Sequence, residues 1–398
     1  MNQLKDFAYY VSDKIDVSNL TNANYVGVDN MLPEKQGVQA SEYLPTTGTA
    51  THFKPGDILI GNIRPYFKKI WLATFSGGCS PDVLCIRPKD MSMSSYLYAV
   101  LVQDSFFAYN MLGSKGSKMP RGDKAHIMRY PVPLTEAAEK IGDIAKNLFL
   151  AIETNNRIEK QLDEMLALYF GRWFLQFNFP NNDDEPYAEA GGVLKYDSEI
   201  GKNIPEEWKT DNIFSPDLCR DIKTGVKYFD KKNYLPTANV NYSRITDGDW
   251  ISYDNRESRA NMEPKRYSVW FAKMKNSVKH ISIPSNSDWF IDKYILSTGF
   301  QGLQCNKESF AYVHCLINSN WFESYKDKLA HGATQESVNN NDLTNIIIPI
   351  PTKDVLEKFS TICNPILEKK FMILKKNQEL NSLRDFILPL MTNNKNKE

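Results

Sequence analysis

A block at residues 116–173 occurs again at residues 332–391 of this 398-residue chain. Each copy runs from a polar loop with glycine through a short apolar strand and a Pro-x-Pro break into a long helical pattern. A displacement of 218 positions superposes the most similar residues of the two copies, which are Pro131, Pro133, Glu139, Lys140, Ile144 and Leu162 on Pro349, Pro351, Glu357, Lys358, Ile362 and Leu380. Such a repeat predicts internal pseudo-two-fold symmetry, which suits an extended target with two parts.

Two long helices are predicted from apolar residues that recur every three or four positions. The first covers residues 135–177, with Thr135 as a plausible N-cap, and the second covers residues 351–390, where Pro365 should cause a kink. Neither helix has neighbours in sequence with which it could form a bundle, so we expect the two to pair as an antiparallel coiled coil. The predicted seam consists of Ile144, Leu148, Leu162, Ile362, Ile366, Ile373 and Leu380, and it is interrupted by Asn155 and Asn377, which would fix the register.

The rest of the chain is rich in short apolar runs bounded by turn signals, which predicts strands. One strand-rich module covers residues 1–134 and a second covers residues 206–350, with an acidic linker rich in Pro and Gly at 178–205. The predicted fold class is therefore α+β, with two globular modules joined by the two helices. An antiparallel pair would hold one module at each end.

The formal net charge is zero, but the charges are segregated. Residues 54–130 contain 11 Lys/Arg and 5 Asp/Glu, residues 220–280 contain 13 and 7, and residues 178–207 contain 2 and 8. The basic segments suit a polyanionic partner, although a solvated surface of mixed charge is an equally good interpretation. The chain shows no secretory signal and no apolar run long enough for a membrane span, and its six cysteines have no zinc spacing, so we expect reduced thiols in the cytoplasm.

The sequence offers little support for catalysis. It has neither a phosphate-binding Walker loop nor the methyl-donor and Asn-Pro-Pro-aromatic motifs of an adenine methyltransferase. The five histidines are dispersed and lack metal-ligand spacing, so no catalytic, cofactor or metal site is predicted. Pro216 and Asp217 with Asp221 and Lys223 imitate a nuclease signature, but their spacing is too short for neighbouring strands.

Three segments have the chemistry of DNA contacts, because basic groups pair with phosphates and Arg, Gln and Asn also pair with base edges. The first is GNIRPYFKK, with Arg64, Lys68 and Lys69; the second is the loop with Lys115, Lys118, Arg121 and Lys124; the third holds Arg256, Arg259, Lys265 and Arg266. The second copy of the loop offers Gln335 and Asn339 in place of basic residues. Core aromatics, solvated loops and a capped turn remain open as alternatives.

The chain resembles the specificity subunits of type I restriction–modification systems over essentially its whole length. The segments that carry the resemblance are GDILIGNIRPYFKK, SPDVLCIRPKD, GSKGSKMPR, YFGRWFLQFNFPN, the linker ending in IPEEW, YLPTANV, LSTGF and the terminal LRDFILPLM. Each string is modest, and their order and spacing together are specific.

This resemblance implies a DNA-binding subunit without chemistry of its own. Its two modules would be target recognition domains that each read one half of a split, asymmetric site in double-stranded DNA. Its helices would dock two adenine methyltransferase subunits, which carry S-adenosylmethionine, and a restriction subunit that uses ATP and Mg could join for cleavage. A coiled-coil scaffold that binds proteins, and a solitary DNA-modifying enzyme, are the alternatives.

Overall fold

The structure, a computed structural model, describes residues 2–392. They form two compact units. Unit 1 comprises residues 2–157 and 377–392, and unit 2 comprises residues 158–376. Unit 1 is therefore built from both ends of the chain. No helix of the described residues is long and apolar enough to cross a membrane.

Unit 1 contains eight strands among the described residues. The strands are β1 (Ala8–Tyr10), β2 (Lys14–Asp16), β3 (Tyr25–Val26), β4 (Thr49–Phe53), β5 (Ile58–Gly61), β6 (Ile70–Leu72), β7 (Gly77–Cys79) and β8 (Val83–Pro88). The helices are α1 (Leu4–Phe7), α2 (Ser94–Leu101), α3 (Asp104–Leu112) and α4 (Lys124–Ile127), with 3₁₀ turns at Val17–Asn19, Pro65–Phe67 and Met91–Met93. The first long helix, α5 (Ala138–Phe170), follows and ends in a π-helical turn, Gly171–Leu175.

The rest of the chain adds strands β9 to β22 and a second long helix. The strands are β9 (Leu194–Asp197), β10 (Lys202–Pro205), β11 (Lys209–Asn212), β12 (Cys219–Asp221), β13 (Lys232–Leu235), β14 (Val240–Asn241), β15 (Arg244–Ile245), β16 (Trp250–Ile251), β17 (Ala260–Met262), β18 (Ser268–Ala272), β19 (His280–Ile283), β20 (Tyr294–Ser297), β21 (Phe300–Cys305) and β22 (Ile347–Ile350). The helices are α6 (Asp288–Lys293), α7 (Phe310–Ile317), α8 (Asn320–Leu329), α9 (Asn340–Leu343) and α10 (Lys353–Thr392), with a 3₁₀ turn at Thr237–Asn239.

The two units share most of the topology of their two four-stranded sheets. Unit 1 has an antiparallel sheet in the order β1-β8-β5-β6, and unit 2 has one in the order β12-β21-β18-β19. The second sheet of unit 1 contains β4-β7-β3, and that of unit 2 contains β17-β20-β13; in each, the central strand pairs antiparallel on one side and parallel on the other. The edge strands differ, since β2 joins β4 whereas β16 joins β13. The repeat therefore extends to the strand-rich modules, where the sequences show little similarity.

The long helices are antiparallel to each other. Within unit 1, the Asn155 side-chain amide donates to the Asn377 side-chain carbonyl at 2.8 Å, and Asn377 donates in turn to Asn156 at 3.0 Å. Within unit 2, Asp163 is ion-paired with Lys370, and the Trp173 ring lies 5.4 Å from that of Phe359. Residue numbers in these contacts rise along α5 as they fall along α10. The antiparallel pairing is confirmed.

The helix boundaries and the buried stripes differ in detail from the sequence prediction. Helix α5 begins at Ala138, after the Thr135 hydroxyl has accepted a hydrogen bond from the Ala137 amide at 3.2 Å, and α10 continues without interruption through Pro365. Of the predicted seam residues, Leu148 and Ile373 are buried, whereas Ile144, Leu162, Ile366 and Leu380 are half-buried and Ile362 is 38% exposed. The buried residues of α10 near Ile362 are instead Phe359, Cys363 and Leu367.

The repeat register of 218 is wrong. The Tyr96 hydroxyl donates to the Pro133 carbonyl at 2.5 Å, and the Tyr312 hydroxyl donates to the Pro349 carbonyl at 2.8 Å, so the structural displacement there is 216 positions. The displacement of 218 aligned one whole Pro-x-Pro string with the other, whereas in the structure the second proline of the first string, Pro133, is equivalent to the first proline of the second string, Pro349. In the helices, the buried stripe of Ile141, Leu148 and Ile152 matches that of Leu356, Cys363 and Leu367, a displacement of 215. Because three residues are close to one helical turn, the shifted alignment still placed apolar residues of one helix on apolar residues of the other.

The segment predicted as a linker, residues 178–205, is a folded part of unit 2. Phe179 is buried and its ring stacks on those of Tyr187 and Trp208, with centroids 4.7 and 5.4 Å away. Residues 194–205 form the hairpin β9-β10. All six cysteines are free and buried.

We predict that Asn377→Ala lowers the free energy of unfolding by about 1 to 2 kcal/mol, because it leaves the Asn155 side-chain N–H without its acceptor and the Asn156 side-chain carbonyl without its donor. Urea unfolding monitored by circular dichroism measures the change. Asn147→Ala, at an exposed position of α5, is the matched control and should change the midpoint little. Equal effects of the two substitutions would contradict a specific role for the amide contact.

We also predict that unit 2 loses stability in mild acid because of His314, which is buried in α7 with its Nδ1 atom 2.7 Å from the Ser282 hydroxyl. Burial, aided by the nearby charges of Lys370 and His280, holds the pKa of His314 well below its usual value. The folded state therefore favours the neutral imidazole, and this stabilisation is fully present above the unfolded pKa of about 6.5. It is lost as the pH falls, and the loss amounts to about 1.4 kcal/mol at one pH unit below that unfolded pKa. Thermal melting against pH measures it; His314→Gln should flatten the profile, whereas exposed His331→Gln should not.

Candidate nucleic-acid interface

In unit 1, the loop 113–123 is hydrogen-bonded to the turn 62–69 that joins β5 to β6. Lys115 and Arg121 exchange two backbone hydrogen bonds of 2.9 Å, which close the loop. The Arg64 amide then donates to the Pro120 carbonyl at 2.8 Å, and the Gly122 amide donates to the Asn62 carbonyl at 3.3 Å. Two segments that the sequence offered separately therefore form one surface, which we call the unit 1 ladder.

The unit 1 ladder presents cations next to exposed aromatic rings. Lys118 is exposed and has no ion-pair partner among the described residues. Arg121 is exposed and pairs with Asp82 at 3.2 Å. Tyr66 and Phe67 are 46% and 38% exposed, with ring centroids 4.8 Å apart. Exposed rings between basic groups are the chemistry that stacks on bases or packs against a nucleic-acid backbone.

The turn that carries these rings has an unusual backbone. Arg64 and Lys68, which flank the 3₁₀ turn, both adopt the left-handed conformation, with φ of 50° and 51°. Such conformations are uncommon for residues other than glycine and are kept only where surrounding contacts fix them. Hydrogen bonds to the loop provide such contacts on one side of this turn.

Other predicted residues of unit 1 have partners within the protein. Lys68 is ion-paired with Glu34 and Asp104, at 3.4 and 3.2 Å. The Lys69 ammonium donates to the Val28 carbonyl at 2.6 Å, and that of Lys124 lies 5.7 Å from the centre of the Tyr10 ring. Lys115 contacts Asp123 at 2.8 Å, which with the His126 amide lowers the pKa of that carboxyl to about 2. The charges of Lys68 and Lys115 are therefore partly neutralised by carboxylates before any DNA binds, whereas Lys69 and Lys124 keep their charge beside a carbonyl and a ring.

Unit 2 contains the same ladder. His331 and Ser337 exchange backbone hydrogen bonds of 3.3 and 3.0 Å, as Lys115 and Arg121 do in unit 1. The Lys275 amide donates to the Glu336 carbonyl at 3.0 Å, and the Val338 amide donates to the Lys273 carbonyl at 3.0 Å. Backbone geometry is thus repeated, while the side chains of the loop change from basic to mainly uncharged.

The backbone hydrogen bonds of the ladder show which residues of the first loop correspond to the predicted residues of the second loop. Gln335, which is exposed, corresponds to Met119. Asn339 corresponds to Asp123, and both are N-caps: the Asn339 side chain accepts from the amides of Asn341 and Asp342 at 2.8 and 3.2 Å. Its carbonyl oxygen is therefore engaged in the protein, as the alternative of a capped turn requires.

The predicted basic cluster of unit 2 is spread over its loop. Arg256 donates to the Tyr253 carbonyl at 2.6 Å and stacks on that ring, with its guanidinium carbon 3.8 Å from the ring centre. Arg266 pairs with Asp288, and Lys265 lines a separate hollow with Lys223. Arg259 is exposed, and its carbonyl accepts a hydrogen bond from the Thr298 amide. The next residue, Gly299, accepts a hydrogen bond from the Lys273 amide. Of the four, Arg259 has the closest connection to the unit 2 ladder.

Asp221, part of the imitated nuclease signature, is a hydrogen-bond acceptor for its neighbours. It accepts from Gln301 at 2.6 Å and from Asn340 at 2.8 Å, and it pairs with Lys223 at 2.6 Å. Asp217 pairs instead with Lys209. Within residues 2–392, no group of three or more His, Cys, Asp or Glu side chains is arranged to hold a metal ion.

Sequence reasoning missed Lys273 and Lys275, which occupy the positions of Asn62 and Arg64. The pKa of Lys273 is lowered by burial and by Arg259, against the raising effect of Asp221. Lys275 is ion-paired with Glu336 at 2.8 Å. The two lysines lie in a run, KMKNSVK, directly after the apolar strand SVWFA, and that pattern was the available signal.

The chain has recognisable relatives, although no protein-family model matches it. It is 25% identical to the type I restriction enzyme MjaIX specificity subunit of Methanocaldococcus jannaschii over 319 residues, which cover 76% of this chain and 69% of the relative. It is 21% identical to the type I restriction enzyme HindI specificity subunit of Haemophilus influenzae, with 98% of each chain aligned. The resemblance to type I specificity subunits is confirmed. A solved S subunit of a type I restriction–modification system from M. genitalium aligns over 97% of this chain and 94% of its own, at 12% identity and a TM-score of 0.48.

We predict that Gly122→Ala disrupts the unit 1 ladder. A Cβ atom at this position would lie 2.4 Å from the Asn110 side-chain oxygen and 2.8 Å from that of Asn62, so the loop must shift, at a cost of about 1 to 3 kcal/mol. Hydrogen exchange should become faster at the amides of residues 115 and 121. The control is Gly171→Ala, since a Cβ there meets no atom within 4 Å. Unchanged exchange in Gly122→Ala would contradict the close packing.

Proposed function

We propose that this chain is the DNA sequence-specificity subunit of a type I restriction–modification complex. The observation that carries the proposal is the recurrence of one backbone ladder in two units, with different side chains on the two copies. The copy in unit 1 has cations and exposed rings, and the copy in unit 2 has a mainly uncharged loop beside a turn that carries Lys273 and Lys275. A repeated frame with different side chains suits the reading of two different half-sites in double-stranded DNA. The named relatives are specificity subunits, which agrees with this role.

In this proposal, the two units are target recognition domains, and the split site is asymmetric. In unit 1, the exposed Lys118 and Arg121 make the electrostatic contacts with phosphate, and the half-buried Arg64 on the same ladder is the candidate for pairing with guanine. In unit 2, Gln335 and Arg259 are the accessible candidates. The paired helices α5 and α10 connect the modules.

The chemistry of modification and cleavage would belong to partner subunits. Two methyltransferase subunits would bring S-adenosylmethionine, and a restriction subunit would bring ATP and Mg, all in the cytoplasm. The exposed apolar residues Leu168 and Leu175, at the end of α5 and the turn after it, support docking of a partner there, since they are 73% and 70% exposed. Leu175 borders a cleft of about 940 Å³ in unit 2 that Phe174, Trp208 and Trp321 help to line.

We predict that Lys118→Ala with Arg121→Ala weakens DNA binding and reduces the salt dependence of the binding constant. Each lost phosphate contact should reduce the slope of log K against log salt by about 0.9, because fewer counterions are released. Titration of labelled duplex DNA at several salt concentrations, with the methyltransferase present, measures both quantities.

A matched control is Lys146→Ala with Lys160→Ala, which removes two exposed charges from α5. Its salt slope should equal that of the unchanged protein. If the loop variant binds with the original affinity and slope, the loop is not a DNA contact. If the unchanged protein has no affinity for DNA with its methyltransferase, the scaffold alternative replaces the proposal; methyl transfer or cleavage by the chain alone would favour the solitary enzyme.

A further inference from the structure

In each unit, the turn of the ladder ends on a lysine that donates to a distant backbone carbonyl. Lys69, directly before β6, donates to Val28 at 2.6 Å, and Lys279, directly before β19, donates to Thr237 at 2.5 Å. Val28 lies two residues after β3, and Thr237 lies two residues after β13. Since β3 and β13 are the parallel-paired strands of their sheets, the two contacts are topologically equivalent.

The contact is kept although the turns around it have diverged. The turn of unit 1 is NIRPYFK and that of unit 2 is KMKNSV, so they differ in length by one residue and in nearly every side chain. The lysine carbonyl is equivalent too: it accepts from Gly61 in unit 1 and from Ala272 in unit 2, both at 3.0 Å. A side chain that persists where its neighbours change has a role common to both units.

Both ammonium groups lose part of their hydration on folding. Lys69 and Lys279 are half-buried, and burial lowers the pKa of each, with Asp29 opposing the effect at Lys69. A lysine that serves as a phosphate contact gains from full exposure, as at Lys118. Lys69 and Lys279 are instead half-buried within their units, and the charge of each strengthens one hydrogen bond to a carbonyl.

We propose that Lys69 and Lys279 are positioning residues, which tie the turn of each ladder to the segment leaving the parallel-paired strand and so fix the placement of Arg64 or Lys275. The inference rests on the proposed function and replaces the expectation that Lys69 contacts DNA. The turn is then held on two sides. Backbone bonds to the loop hold its start at Arg64 or Lys275, and the lysine holds its end.

The test uses the full chain with its methyltransferase and the variants Lys69→Met and Lys279→Met. A pool of random-sequence duplexes is selected for binding, and the preference at each base position is read by sequencing. Each variant should lose roughly ten-fold in base preference, which is the scale of one specific base contact, and the two variants should affect different halves of the selected sequence. Affinity for poly(dI-dC) and its salt slope should stay unchanged. Lys118→Met is the matched control, and it should reduce the salt slope on both kinds of DNA by about 0.9.

Three results would overturn the inference: a reduced salt slope in Lys69→Met, unchanged base preference in both variants, or a loss in the same half of the sequence from both. If Lys69→Met does not fold, Lys279→Met in the other unit carries the same test. Failure of the unchanged protein to select any sequence would instead refute the proposed function, so the two failures are distinguishable.

Discussion

Backbone hydrogen bonds between a loop and a strand-connecting turn are the constraint on which the candidate site depends. In unit 1 they join residues 62–64 to 120–122, and in unit 2 they join residues 273–275 to 336–338. Because these bonds involve only main-chain atoms, the side chains that face outward can differ without disturbing the frame. The same geometry therefore carries Arg121 in one unit and Ser337 in the other. The proposed reading of two unlike half-sites would require such a backbone frame, in which the outward-facing side chains can change independently.

The charged groups at the two ladders have different kinds of partner. Several cations of unit 1 have internal carboxylate partners, as at Lys68 with Asp104, whereas Lys118 stands without one among the described residues. In unit 2, Asp221 accepts hydrogen bonds from Gln301 and Asn340 and forms an ion pair with Lys223. Partners of this kind keep cations in defined positions but reduce their attraction for phosphate. Counts of basic residues along the chain therefore overstate the charge that DNA would meet.

The sequence predicted the local features and missed those that depend on distant contacts. Both long helices followed from apolar spacing. Asn155 and Asn377, which interrupt that pattern and were expected to fix the register, form a hydrogen bond with each other. The register of 218 was wrong because two Pro-x-Pro strings outweighed a structural equivalence that appears only in the bonds of Tyr96 and Tyr312. The shared sheet topology could not be inferred, since its strands pair across long stretches of chain with dissimilar side chains. Partners such as Val28 for Lys69 are likewise set by tertiary structure.

Unit 1 is assembled from both ends of the chain, and this bears on how the protein matures. Leu388 is completely buried in the core that also contains Leu4, and Lys35 pairs with Asp385 at 2.9 Å. A nascent chain on the ribosome can complete unit 2 from contiguous residues, but it cannot close the core of unit 1 until its last helical turns have been translated. A product truncated before those turns would expose apolar core residues to proteases and chaperones. Formation of the unit 1 ladder on a closed core is thereby coupled to synthesis at least as far as Leu388.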